Sequence, residues 1–531
     1  MQTQVVIIGG GATGTGLARD LAMRGVACVV VEKKDINAGA SGGNHGLLHS
    51  GARYVATDPS AARECSEEGR LLKTVARHCI EETGGLFVAV SGDDETYIAD
   101  FPRLCSQSGI AAIPVHVNDA REMEPALSGK LIAAYLVDDA TIDPFKLSLD
   151  NIASAQRLGT RLLRYSRVSG FEMEGGKIRT VQVLDRVTGR TEHVAADLVI
   201  NAAGAWAGEI AAMAGADIHM RYSKGSLLVT QTRVARRVIN RLRPPADGDI
   251  LVPGGTVSIL GTTSERVDSP DVIYPEIREV DAIIDQGAAM APVLATARYI
   301  RAYCGVRPLL SSGIDEGEND RSASRGFALI DHSRQPEGVE NLVTITGGKL
   351  TTYRLMAEKA ADMACDRLGV KASCKTTTEP LPDMVDARWT EPGLAPDYWL
   401  RKNDPQDMLL CECEMVPRSV VEEIIGMVRK QGGQASLNAI SLRSRIGKGP
   451  CQGTFCSQRV VADLYDRKHL NDTEGIVELC NFLRERWRGQ QPLLWNMPLA
   501  QAELLEAMHC GLFGLDLARQ CDGKGPGKHS L

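Results

Sequence analysis

Continuous apolar runs, each followed by small residues and then a stretch of helical period, recur along the first two-thirds of the chain. Val5–Ile8 leads into "GGGATGTG", after which Leu17, Leu21 and Ala22 share one face of a helix, and a second run, "ACVVVE", closes on Glu32. This pattern predicts strand, glycine turn, helix and parallel strand, with the strands buried on both faces. "DLVINAAGAWAGEIA" (197–211) and "LVTITGGKLTTYRLMAEKAADMA" (342–364) repeat the plan far downstream. One sheet is therefore revisited, and what lies between forms a second domain. Its strand-like runs include "KIRTVQVLD" (177–185) and "SLLVTQTR" (226–233), with a helix over 279–294. The fold class expected is α/β, a Rossmann-like dinucleotide-binding domain interleaved with a mixed-sheet substrate domain. Beyond it, "SVVEEIIGMVRKQG" and "SLNAISLRSRIG" alternate helical faces with glycine stops, predicting a small helical C-terminal domain.

The expected boundaries are 1–380 for the discontinuous larger part, a Pro-rich linker at 381–405, a small domain at 406–465, and a helical segment with a tail at 466–531. The terminal "GKGPGKHSL" reads as disordered.

Gly9, Gly11 and Gly14 fit G-x-G-x-x-G directly after the first strand. The first glycine permits the tight turn, the second lets a pyrophosphate approach the backbone, and the third lets helix and strand pack closely. Backbone N–H groups around Ala12 and Thr13 would face the phosphates at the helix N-terminus, and Glu32 is placed for a ribose hydroxyl. FAD and NAD both satisfy this unit, and the later returns to the sheet favour FAD. Ser41, Gly42 and His45, with Gly204, Gly347 and Gly348 in the later turns, are further candidate cofactor contacts.

With 531 residues, two or three domains are expected. A formal net charge of −7 gives no basic excess for nucleic acid, so nucleic-acid binding is not expected. "VVIIGG" starts within five residues of Met1, which leaves no room for a secretion signal, and no apolar run reaches membrane-spanning length. The fourteen cysteines are accordingly expected to be reduced.

"GASGGNHGLLHSGARYV" (39–55) sets His45, His49 and Arg53 four residues apart, a spacing that would share one helical face. Arg307 in "YCGVRPLL", Arg325 in "SASRGF" and Lys349 in "TGGKLTTY" place cations beside Gly-rich turns, which points to an anionic ligand such as phosphate. Near the C-terminus, Cys411 and Cys413 are separated by one residue, and Cys451 and Cys456 by four. Four thiolates can hold structural zinc or a [2Fe–2S] cluster, or be incidental; C-x-C is atypical for zinc.

The motifs "IIGGGATGTGLARD", "NHGLLHSGARY", "VINAAGAWAG", "KGSLLV", "DILVPGGTVSILGTTS", "YCGVRPLL" and "TITGGKLTTYRLMAEKA" together resemble the FAD-dependent glycerol-3-phosphate dehydrogenases. The likeness is greatest to the large-subunit (A-subunit) family of the anaerobic enzymes, and it resumes over 406–515. It implies oxidation of glycerol 3-phosphate to dihydroxyacetone phosphate by hydride transfer to FAD. Substrate phosphate would lie near Arg53, Tyr54, Arg307, Arg325 and Lys349, with His49 as the base, His45 as the runner-up and Arg307 as the electrostatic stabiliser. The aerobic branch has a histidine where this chain has Leu227, so that contact is not expected. The four cysteines resemble bacterioferritin-associated ferredoxin, implying a [2Fe–2S] cluster, although thirty-seven residues separate the two pairs, a longer gap than usual. Implied partners are a flavoprotein and a membrane-anchoring iron–sulfur protein that leads to quinone, both subunits of one complex. The chain would then lie in the cytoplasm, held peripherally at the inner face of the membrane. The alternatives are an FAD enzyme acting on another hydroxy acid or amine, and a noncatalytic electron-transfer subunit.

Overall fold

The computed structural model describes residues 1–310, 326–335, 338–434, 436–471 and 473–513. They divide into two compact units: Met1–Ile273 with Arg278–Arg298 and Tyr303–Ala387, and Arg388 onward with the short pieces Tyr274–Ile277 and Tyr299–Ala302.

The larger unit is built on β1 (Gln2–Ile8), α1 (Ala12–Met23), β2 (Cys28–Val31), β3 (Thr191–Asn201), β4 (Met220–Thr230), β5 (Tyr299–Leu310), β6 (Leu342–Gly347) and α2 (Tyr353–Leu368). β1 pairs in parallel with β2 on one side (Ile8 opposite Val31) and with β3 on the other (Ile8 opposite Asn201). β6 adds in parallel beyond β3, with Val199 opposite Leu342. The carboxyl ends of β1, β3 and β6 therefore fall together, and the turns beginning at Gly9, Ala202 and Gly347 share one edge of the sheet. That edge is where open parallel sheets bind ligands. Val5, Val6 and Ile7 are fully buried, as their unbroken apolar run requires, and Leu17 and Leu21 of α1 are buried against them.

The second sheet is mixed, as expected. β4 runs antiparallel to 257–261 and 265–267 and is flanked by β5, while 238–241 runs parallel to 85–90. The predicted strand at 177–185 forms with those ends, but it pairs antiparallel with β3 and so extends the first sheet instead of joining the second. The helical reading of 45–53 does not hold. Gly46 (φ 71°) and Gly51 (φ 95°) take left-handed conformations that end any helix, leaving the short strand Leu47–Leu48 and a 3-10 turn at Ala52–Tyr54.

The smaller unit contains α3 (Leu394–Lys402), α4 (Arg418–Lys430), α5 (Leu437–Leu442), α6 (Cys456–Asp466), α7 (Glu474–Gln490) and α8 (Asn496–Phe513). Val420, Val421, Ile424 and Ile425 of α4 meet Val460 and Leu464 of α6 and Leu479 and Phe482 of α7 in one core. The segment expected as a linker, 381–405, is instead largely folded. Trp389 is buried, stacks edge-on against Tyr398 at 5.2 Å, and joins the same core with Ala395. The division accordingly falls after Ala387, and residues of the stretch expected as separate from 466, such as Leu470, Leu479 and Phe482, share one core with 406–465. The Gly-rich tail lies outside the described residues. No described helix is long and apolar enough to cross a membrane.

Candidate functional site

A cavity of about 720 Å³ opens at the carboxyl edge of the parallel sheet. Its volume lies within the range of sites that take cofactors or drug-sized ligands. One end is made by the first glycine turn. Gly9 holds φ 117°, and a Cβ there would stand 2.4 Å from the Ala202 carbonyl oxygen, so only glycine lets β1 and β3 turn side by side. A Cβ on Gly14 would fall 2.0 Å from the Gly9 carbonyl oxygen. Gly14 thus shapes the turn from within α1 and does not line the cavity. Gly42 does not line it either; its α-carbon is pressed against the Asn37 carbonyl.

Gly9, Gly11, Ala12, Thr13, Glu32, Ser41, His45, Gly204, Gly347 and Gly348 all line the cavity. The Ser41 hydroxyl accepts from Ala12 N–H at 2.9 Å, fixing the loop after β2 against the start of α1. The Glu32 carboxylate accepts from Gly10 N–H at 2.7 Å and Lys34 N–H at 2.8 Å. Burial raises its pKa, and those two N–H groups oppose the rise. The small-residue turns, the helix N-terminus and this terminal carboxylate form a cradle that fits an adenine dinucleotide along the sheet edge.

The other wall gathers His45, His49, Arg53, Tyr54, Arg307 and Lys349. Although no helix carries them, the His45 and His49 rings lie 6.0 Å apart, and Tyr54 lies 5.3 Å from His49. Nδ1 of His45 accepts from Leu47 N–H at 3.2 Å, so the neutral ring keeps its proton on Nε2. Burial pushes the pKa of His45 down to about 3, and the charges of Arg307 and Arg53 act in the same direction. His45 is therefore neutral near pH 7 and presents a donor. Nε2 of His49 lies 3.5 Å from the Tyr54 hydroxyl, and the Lys349 ammonium stands over the Tyr54 ring at 4.6 Å.

Arg307, on β5, donates to the Ser223 hydroxyl at 3.3 Å, the Thr263 carbonyl at 3.0 Å and the Thr262 hydroxyl. Gly225 lets this happen, since a Cβ there would meet the guanidinium at 2.5 Å. Beneath, buried Glu279 accepts from Ser226 at 2.8 Å and Thr263 at 2.6 Å and pairs with Lys224 at 2.9 Å, bracing the 261–263 turn. Arg53 forms a buried ion pair with Asp249 at 3.0 Å, while its Nη1 has no hydrogen-bond partner among the described residues. Arg325 lies outside the described residues. Thr262, Gly225 and Asp249 were not singled out from the sequence, although each sits inside a quoted motif, because hydroxyl, glycine and carboxylate at those places carry no chemical signal until the fold joins them.

In the smaller unit, Cys411 and Cys413 bring their sulfurs to 3.8 Å, and Cys413 and Cys451 to 3.6 Å. Cys456, at the start of α6, interacts through its side chain with both Cys411 and Cys451. Hydrogen bonds from Cys413 and Cys456, helped by Gly453 and Phe455 N–H, hold the Cys451 thiol far below the ordinary range. Four convergent thiols are a donor set suited to a thiophilic metal group.

The family described as FAD dependent oxidoreductase matches residues 4–363. Over 97% of both chains, this one is 41% identical to the A-subunit of the anaerobic glycerol-3-phosphate dehydrogenase of Escherichia coli. It is 38% identical to the Haemophilus influenzae protein of that name, over 98% of this chain and 95% of that one. The likeness to the A1-subunit of the Haloferax volcanii enzyme is also 38%, over 96% and 91%. Among solved structures, the glycerol-3-phosphate dehydrogenase of Bacillus halodurans complexed with FAD superposes with a TM-score of 0.62 at 20% identity, covering 93% of this chain and 96% of that one. The matching family's FAD dependence and the dinucleotide cradle agree on FAD as the cofactor. The chain belongs to the FAD-dependent oxidoreductases and, within them, to the A-subunit family of the anaerobic glycerol-3-phosphate dehydrogenases.

Proposed function

We propose that this chain is the catalytic subunit of an FAD-dependent sn-glycerol-3-phosphate dehydrogenase that forms dihydroxyacetone phosphate. The observation that carries the reading is one cavity in which a dinucleotide cradle adjoins a wall of two histidines, two arginines and a lysine. Bound FAD supplies the hydride acceptor. The chain holds the substrate phosphate with Arg307, Lys349 and the spare Nη1 of Arg53, for which guanidinium forks are well shaped. Arg325 would join this set. His49 removes the proton of the substrate hydroxyl, because its Nε2 faces Tyr54 in the cavity while His45 carries its proton on Nε2 and is held neutral. His45 then donates to the substrate, and Arg307 steadies the developing alkoxide.

Cys411, Cys413, Cys451 and Cys456 would hold a [2Fe–2S] cluster, whose chemistry is one-electron transfer. Zinc is the competing occupant. Electrons would pass to partner flavoprotein and iron–sulfur subunits, then to quinone, with the chain held at the cytoplasmic face of the membrane by those partners. The relatives' designation as one lettered component of a larger enzyme supports such an assembly.

Turnover with a soluble one-electron dye tests the reading. Glycerol 3-phosphate should be oxidised, and glycerol, proline and glycine should not. Preferred turnover of an amino acid would move the chain to another substrate class on the same fold.

A further inference from the structure

Arg486, on α7, is buried, yet no carboxylate among the described residues pairs with it. Its Nη1 reaches the Gln452 amide oxygen at 3.4 Å and its Nη2 the Ser441 hydroxyl at 3.4 Å, both long contacts to neutral groups. The guanidinium carbon lies 4.8 Å from the Phe482 ring, and Nε has no hydrogen-bond partner among the described residues. The preceding Glu485 is paired with Arg301 at 2.9 Å. A buried guanidinium without a counter-ion is strongly disfavoured, so a compensating charge is needed close by.

The groups that Arg486 touches indicate where that charge sits. Gln452 directly follows Cys451. A Cβ on Gly447 would stand 3.3 Å from Nη2 of Arg486 and 2.6 Å from Phe482, and a Cβ on Gly453 would stand 2.4 Å from Phe482. The loop 447–453, which carries Cys451 toward Cys456, is therefore seated directly on the Phe482–Arg486 face of α7. Two other cations near the cysteines have carboxylate partners, Arg445 with Glu414 at 3.0 Å and Arg459 with Glu412 at 2.7 Å, while Lys448 reaches the Leu442 carbonyl at 3.4 Å. Those pairs engage the acids interleaved with the cysteines, and Arg486 is the buried cation seated against the loop that carries Cys451.

We propose that Arg486 is the internal counter-cation of the four-cysteine group and raises its reduction potential. The inference rests on the [2Fe–2S] reading above. Such a cluster with four thiolates is a dianion when oxidised and a trianion after one electron, so a fixed cation beside it stabilises the reduced form more. Arg486 is thus a positioning and tuning residue.

The test uses the full chain, purified anaerobically as wild type, R486M and R486K. Iron and acid-labile sulfide are assayed, and the cluster is titrated by potential-controlled electron paramagnetic resonance. Met conserves volume without charge, and Lys keeps the charge. R486M is expected to hold iron and sulfide and, at a given ambient potential, to be at least tenfold more oxidised than wild type, a fall of about 59 mV for one electron. R486K should stay within threefold of wild type. Loss of iron from R486M but not from R486K would also support a charge requirement. Coincident titrations of R486M and wild type, equal shifts in both variants, or loss of iron from both would overturn the inference while leaving the cluster reading standing. Wild type without iron and sulfide would overturn both.

Discussion

Replacing Arg307 by alanine removes a cation that three neutral groups hold in place at the cation-lined wall of the cavity. Its guanidinium is pre-oriented by Ser223, Thr262 and the Thr263 carbonyl, so little ordering remains to be done when an anion arrives. Two charge-assisted hydrogen bonds to phosphate or alkoxide, at about 1.5–2 kcal/mol each, give a loss of about 3–4 kcal/mol. At about 1.4 kcal/mol per decade this is a fall of about 10²–10³ in kcat/KM. FAD content should not change, because the glycine turns and Glu32 that cradle the dinucleotide lie at the other end of the cavity. Lysine should restore charge but not the fork, recovering only part of the loss. The assay is anaerobic stopped-flow reduction of the bound flavin by glycerol 3-phosphate, with flavin quantified in each variant. A kcat/KM for R307A within threefold of wild type, with flavin bound, would refute the phosphate pocket drawn here.

Other outcomes follow from the same contacts. Gly225→Ala places a methyl 2.5 Å from the Arg307 guanidinium, a flexible end that must give way, so kcat/KM should fall at least about tenfold with normal flavin content; an unchanged rate would show that Arg307 is not held there. His45 is depressed in the folded chain to about 3 from an ordinary value near 6.5, so the unfolded state binds its proton first. Stability is thus fully retained above about pH 6.5 and falls as pH drops toward 3, by up to about 2 kcal/mol at pH 5. His45→Gln should flatten that part of the melting-temperature profile between pH 7 and 5, and an identical slope would contradict the burial argument. Cys451→Ser should abolish bound iron yet leave flavin reduction by substrate intact, read by metal analysis alongside the same stopped-flow trace.

The βαβ unit was legible because three local signals coincide there: the unbroken run Val5–Ile8, the glycine spacing and the terminal Glu32. Strand 177–185 was legible for a similar reason, its alternation being local. What could not be read depended on distant partners. Arg53 looked like a phosphate cation, and only the fold reveals its pairing with Asp249, 196 residues away. His45 and His49 do meet, but through the left-handed Gly46 and the short strand Leu47–Leu48 rather than a helix. Sequence spacing brought these residues together but implied the wrong geometry. The Pro-rich stretch at 381–405 read as a linker because local composition says nothing of where Trp389 is buried.

The most direct test is an anaerobic visible-absorbance titration of the purified chain with sn-glycerol 3-phosphate. The flavin band should bleach progressively as substrate is added. A flavin that stays oxidised under glycerol 3-phosphate, in a chain that dithionite reduces normally, would contradict the proposed function.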